Sequence, residues 1–197
     1  LDTQVAWLAN QNLNYLVSGE PPRRQGTAHP NIVPYQAFPT ADGYLMLAVG
    51  NDAQFARFCD AAGAPELAAD ARFKTNADRV AHRAALVPQV AALLRKRTTR
   101  EWLGALEVAQ VPCGPINDLA QVFAEPQVRH RGLRMDLPHP TAGTAPGVRN
   151  PVRFSRTAVE YERAPPPLGA DTAAELKARL GIDDAVLADL AARGVIA

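Results

Sequence analysis

Few residues of this 197-residue chain have the type and spacing that chemistry needs, and most of them are scattered. Cys59 lies in an apolar helical pattern and Cys113 lies between prolines, with no C-x-x-C spacing to suit a metal. No base is placed beside Cys113 by the sequence, so both read as free thiols of a reducing cytosol rather than as nucleophiles. His29, His82, His130 and His139 are dispersed and read as surface or turn residues; no metal site is expected. Asp42, Asp52 and Asp118 fall in separate turns, and no rule of spacing pairs two carboxylates for acid–base work. Sequence patterns for phosphate-cradling glycine loops, for zinc-binding His-Glu-x-x-His and for serine-hydrolase elbows are all missing. The densest polar set is His29, Asn31, Tyr35 and Gln36, inside a stretch that also holds Pro30, Pro34 and Pro39.

An anionic ligand would need local positive charge. Arg23 and Arg24 could supply it, as could Arg129, His130, Arg131 and Arg134, although a solvated basic surface is the commoner reading of such runs. The whole chain carries 21 Lys+Arg against 20 Asp+Glu, a formal net charge of +1, which does not point to nucleic acid. With 47% hydrophobic and 21% charged residues it has globular composition, and no apolar run approaches the ~20 residues of a membrane helix. A folded, cytoplasmic protein without a membrane partner is expected.

The elements that must position these groups follow from periodicity. Leu1, Val5, Leu8, Leu13 and Leu16 predict one helix over residues 1–17 with a core-facing stripe, stopped by Ser18-Gly19 and Pro21-Pro22. The prolines of residues 20–40 predict an ordered loop or linker there, neither a helix nor a central strand. Residues 44–49 read as a buried strand. Asn51 or Asp52 then caps a helix over 53–62, which Gly63 ends, and a helical turn follows at 65–69. Asn76 is expected to cap one long helix to about residue 97, and Thr98 or Thr99 with Glu101 to open another carrying Trp102 and Leu106. Two short helices at 118–124 and 126–131 precede strands expected at 133–137 and 148–154. Prolines 165–167 make a stiff crossing segment, and two helices opening at Asp171 or Thr172 and at Asp183 close the chain.

Longer strings carry more specific information. The run Gly26-Thr27-Ala28-His29-Pro30-Asn31-Ile32-Val33-Pro34-Tyr35-Gln36-Ala37-Phe38-Pro39 resembles the pattern of family III coenzyme A transferases, the CaiB/BaiF or L-carnitine dehydratase/bile-acid-inducible group. So do Ala48-Val49-Gly50-Asn51-Asp52, then Phe73-Lys74-Thr75-Asn76 with Arg79-Val80 and Arg83, and then Val111-Pro112-Cys113-Gly114-Pro115-Ile116. The set continues through Val122-Phe123-Ala124-Glu125-Pro126 to Pro165-Pro166-Pro167-Leu168-Gly169 with Asp171-Thr172, in the family's order.

The resemblance implies an α/β fold: a small α+β domain plus parts of a Rossmann-like large domain, in an interlocked homodimer. Residues 1–43 would be a helix and linker of the large domain, 44–138 the small α+β domain, and 139–197 a return segment with C-terminal helices packing on the large domain. It implies an enzyme that moves coenzyme A between an acyl-CoA and a carboxylic acid through an aspartyl-CoA thioester, with a CoA thioester as substrate and no bound cofactor. The nucleophilic aspartate is expected upstream, in an N-terminal half that would be this chain's partner; Asp2 belongs to the later helix, and this chain alone would be inactive. His29, Tyr35 and Gln36 are expected as substrate contacts in a loop closing over the acyl group, the alternative being a proline-stiffened linker. Two other functions stay open: a 2-methylacyl-CoA racemase of the same family, which needs an acid–base pair instead of an acceptor acid, and a non-catalytic dimerisation or binding module.

Overall fold

A computed structural model describes residues 1–196, which form two compact units, Leu1–Ile116 and a second from Asn117 onward. The first unit is built on a three-stranded antiparallel sheet of β1 (Tyr35–Pro39), β2 (Tyr44–Ala48) and β3 (Cys113–Pro115), with β2 in the middle. Tyr35 stands opposite Ala48 and Pro39 opposite Tyr44, while Leu47 faces Cys113 across the other edge. The period of two along a strand sends Leu45 and Leu47 to one face, where they are fully buried. Helices cover that face. Phe55, Phe58 and Cys59 come from α3 (Asp52–Ala61), and Leu67 comes from α4 (Pro65–Ala69). Phe73 ends a 3-10 turn; α5 (Asn76–Ala81) leads into α6 (Arg83–Leu94), which adds Leu86, Val90 and Leu94; α7 (Thr99–Val108) adds Trp102 and Leu106. The Trp102 indole N–H donates to the Leu94 carbonyl at 2.7 Å, so the largest core ring buries no unpaired donor.

Helix starts are fixed by local hydrogen bonds. The Asn51 side chain accepts the Gln54 N–H and opens α3, and Thr98 forms a reciprocal capping box with Glu101 at α7. The cap of α5 is Thr75, boxed with Asp78, and not Asn76 as expected; Thr75 already satisfies the first turn, which leaves the Asn76 side chain for another task. The long helix expected from residue 76 is broken at His82, whose backbone leaves the helical region (φ −106°, ψ 23°), while Pro88 is accommodated inside α6.

Other expectations are corrected. The helix over 1–17 is two helices, α1 (Asp2–Ala6) and α2 (Asn10–Ser18), interrupted where Ala9 takes φ 49°. Its stripe does not face a core: neither helix has a buried residue, and Leu13 and Leu16 are 63% and 74% exposed. The proline-rich stretch contains β1, which tolerates Pro39 because it is the last residue of an edge strand.

In the second unit, α8 (Leu119–Ala124) and α9 (Pro126–His130) precede a two-stranded sheet of β4 (Arg134–His139) and β5 (Gly143–Val148). The strand expected at 148–154 therefore lies earlier. The apolar residues Val148, Val152 and Phe154 suggested a buried strand but are exposed, whereas Gly147 gives β5 its close approach to Met135, since a Cβ there would lie 2.9 Å from the Met135 Cε. Helices α10 (Thr172–Leu180) and α11 (Asp184–Ala192) end the unit, and Leu187 is its one buried hydrophobic residue among those described. Among the described residues no helix is long and apolar enough to cross a membrane.

The sheet unit closes on Arg79, which is fully buried. Its Nε donates to the Val33 carbonyl at 2.7 Å, Nη1 to the Phe73 carbonyl at 3.0 Å and Nη2 to the Asp52 carboxylate at 2.8 Å, with the guanidinium 4.5 Å from the Phe55 ring centre. Replacing Arg79 by Met leaves buried carbonyls without donors, and the expected loss is about 3–5 kcal/mol, read as a lower urea midpoint. An unchanged midpoint would show that the network is dispensable.

Acid should weaken the unit. The Thr99 N–H and hydroxyl hold the Asp42 carboxyl below the usual carboxylate range, as Thr75 does for Asp78 and Thr98 for Glu101, and hydrogen bonds from Arg72 lower Asp70 to about 2. Folded values below the unfolded values of 3.8 for the aspartates and 4.5 for Glu101 mean that this stability is present above about pH 4.5 and is lost as pH falls toward 2. An Asp70→Asn variant should show a shallower loss of urea midpoint across that window than the parent.

Candidate functional site

The polar residues picked out around His29 lie on a loop that folds back onto its own strand. The His29 N–H donates to the Tyr35 carbonyl at 2.8 Å, and the two rings stack with centroids 5.3 Å apart. Val33 and Pro34 turn inward and are buried, so the loop is pinned from beneath. The pins come from α5 and α6. The Asn76 side chain accepts the Val33 N–H at 3.2 Å and donates to the Asn31 carbonyl at 2.8 Å. Arg79 takes the Val33 carbonyl, and the Arg83 Nη2 donates to the His29 and Pro30 carbonyls at 2.8 Å each. Asn76 and Arg79 from α5 and Arg83 at the start of α6 converge on the loop, where they hold four of its carbonyls.

From the other direction, the Asn14 side chain of α2 accepts from the Asn31 side chain at 2.8 Å. The Asn31 N–H donates to the His29 Nδ1 at 3.1 Å, which makes Nδ1 the acceptor and leaves the proton of a neutral ring on Nε2. The Asn10 side-chain amide lies 3.5 Å from Nε2, so the loop presents a stacked His29–Tyr35 pair with neighbours at both ring nitrogens, on a backbone with little freedom. A neutral imidazole of this kind can donate from Nε2 to a carbonyl or carboxylate oxygen.

Not every expected contact converges. His29 and Tyr35 come together, but Gln36 follows Tyr35 directly in β1, and side chains alternate across a strand, so it projects to the opposite face of the sheet. There it lines a groove of about 680 Å³ with Arg23, Arg24, Pro30, Arg83 and Val87. The basic run at 129–134 divides as well: Arg129 and Arg134 line a cavity of the second unit with Leu119 and Phe123, whereas Arg131 lines a separate one with Arg149, Arg153 and Tyr161. Burial pushes the Cys59 thiol up to about 12 and raises Cys113 too, so neither is a thiolate near neutral pH. No group of three His, Cys, Asp or Glu among the described residues is placed to hold a metal ion.

Sequence reasoning gave Asn76 only the cap of a helix and assigned Arg79 and Arg83 no role of their own. Their spacing was the available signal, since polar residues three and four positions apart can reach one neighbouring segment from the same side. Replacing Asn76 by Ala leaves the Val33 N–H and the Asn31 carbonyl unpaired, a change of about 1–3 kcal/mol in loop anchoring. Hydrogen exchange at the Val33 amide should quicken about tenfold or more, with the Leu106 amide in α7 unchanged as the internal control. Equal slowing or quickening at both would mean the loop is not held separately.

Residues 1–172 match the sequence model of CoA-transferase family III. The succinate–glutarate CoA-transferase of Agrobacterium fabrum is 50% identical over 180 residues, covering 90% of this chain and 45% of that protein. The human succinyl-CoA:glutarate CoA-transferase is 42% identical over 196 residues, again covering 45% of its length. A crystal structure of a CaiB/BaiF family protein from Brucella suis superposes with a TM-score of 0.76 at 43% identity, over 88% of this chain and 44% of that one. The chain spans about half the length of the relatives it matches.

Proposed function

We infer the activity from one premise: the chain belongs to CoA-transferase family III. The reading is that it forms part of an enzyme that transfers coenzyme A between an acyl-CoA and a carboxylic acid, with short dicarboxylic acids such as succinate and glutarate as the substrate class. The relatives named for those acids support that class. The observation that carries the site is the pinned His29–Tyr35 pair, a donor and an aromatic face held ready beside backbone that helix side chains immobilise.

In the proposed reaction a carboxylate attacks the thioester carbonyl and expels the CoA thiolate, leaving a mixed anhydride. The thiolate then attacks the enzyme's half of the anhydride, giving an enzyme acyl-CoA thioester and releasing the first acid; the acceptor acid repeats the two steps in reverse. Each addition builds an oxyanion, and His29 Nε2–H with the Tyr35 hydroxyl supply donors to the acyl or acid oxygens. Gln36 contacts the substrate from the other face of β1.

The attacking aspartate is assigned to a part of the enzyme outside these residues. Here the aspartates serve structure: Asp118 and Asp183 cap helices, Asp52 and Asp70 pair with arginines, and Asp42 and Asp78 are held by threonine donors that lower their basicity. Asp2 sits exposed on a helix of five residues. In this reading the chain contributes to both a large and a small domain, with β1 and β2 kept together in one sheet, and two copies interlock as a homodimer.

The test is to incubate the intact enzyme with succinyl-CoA and glutarate. Glutaryl-CoA should form only when glutarate is present, and the protein mass should rise by CoA less one water when succinyl-CoA is given alone. Exchange of the hydrogen next to the thioester without any acceptor would instead establish a racemase. Binding without turnover or adduct would leave a non-catalytic module.

A further inference from the structure

The groove that Gln36 enters has a charge pattern the loop chemistry does not use. Arg23, Arg24 and Arg83 all line it, no acidic residue does, and none of the three forms an ion pair among the described residues. Apart from Gln25 and Gln36, the remaining lining is small or apolar, Ala28, Ala84, Val87 and Pro88 among it. Arg83 is the link to the loop: its Nη2 spans the His29 and Pro30 carbonyls, while its Nη1 is buried and has no hydrogen-bond partner among the described residues. A cationic donor left unpaired in a half-buried site calls for an acceptor.

We propose that this groove is an anion site that takes the charged end of a substrate, a carboxylate or a phosphate, and reports its presence to the His29 loop through Arg83. A modest turn of the guanidinium about its last side-chain torsion brings Nη1 to the anion while Nη2 keeps at least one loop carbonyl. Arg23 and Arg24 add attraction from the rim, and Gln36 adds a neutral donor. Two sources share this chemistry: the remote carboxylate of a dicarboxylic acid, and a phosphate of CoA. The first rests on the transferase reading; the basic groove does not.

Calorimetric titration of the intact protein separates them, with glutarate in one arm and adenosine 3′,5′-bisphosphate, the anionic end of CoA, in the other. Arg23→Gln/Arg24→Gln removes rim charges that make no hydrogen bonds in the structure, so an unchanged urea midpoint should confirm folding. This double variant should weaken the true ligand about fivefold to twentyfold, and the parent's affinity should fall as salt rises. Arg83→Lys, which keeps the charge but loses the fork, should weaken the same ligand further. Loss confined to glutarate assigns the groove to the acid, and loss confined to the bisphosphate assigns it to CoA. Unchanged affinity for both in the double variant overturns the proposal. CoA exchange measured in parallel keeps the two readings apart: turnover that ignores both variants rejects the groove and leaves the transferase standing, whereas charge-dependent binding without any exchange does the reverse.

Discussion

A guanidinium excluded from water has to be surrounded by acceptors, and Arg79 meets that demand by drawing together segments far apart in the chain. Its carboxylate partner, Asp52, is half exposed at the start of α3, so the ion pair alone is poor compensation for full burial of the cation. Two backbone carbonyls and the Phe55 face make up the difference. The consequence is geometric. Val33 before β1, Phe73 at the end of the 3-10 turn and the first turn of α3 must all sit where one planar fork can reach them, so the sheet, the capping turn and the loop share one fixed point.

The candidate loop inherits its rigidity from that point. Asn76 lies one helical turn before Arg79 in α5 and Arg83 opens α6 just past the break at His82, and together they take the loop's polar backbone atoms from the helix side. Such a loop needs no glycine-rich flexibility to present His29 and Tyr35, because the ordering entropy is met by the same hydrogen bonds that satisfy Val33 and Asn31. Strand parity then divides the site: Tyr35 and Gln36 are neighbours in sequence and yet serve opposite faces of β1.

How far the sequence carried the reading follows from the range of the interactions. Caps were legible because their partners lie within three residues: of the pairs Asn51 or Asp52 and Thr98 or Thr99, Asn51 and Thr98 cap, and Asp183 opens the last helix as expected. The family was legible from ordered strings such as Phe73-Lys74-Thr75-Asn76 with Arg79, and the match over residues 1–172 bears that out. Roles that depend on distant partners were not. The Thr75-x-x-Asp78 box marks the cap of α5 locally; what the sequence does not show is the task left to Asn76, whose partners Val33 and Asn31 lie more than 40 residues away. Apolar patterning likewise misplaced β5, because Val152 and Phe154 are apolar without being buried.

The same patterning at residues 1–17 was legible as a helix and wrong about its surroundings, and the reason bears on the assembly. The sheet unit needs no help to bury its core: Leu45, Leu47, Phe55, Phe58, Leu86, Leu94 and Trp102 are all sealed by elements between β1 and β3. Helices α1 and α2 contribute none of their apolar residues to it, and the second unit buries only Leu187 among its described hydrophobic residues while Leu119, Val148 and Phe154 stay exposed. Apolar stripes with helical period and no cover are what remain when a surface is complementary to something other than its own unit.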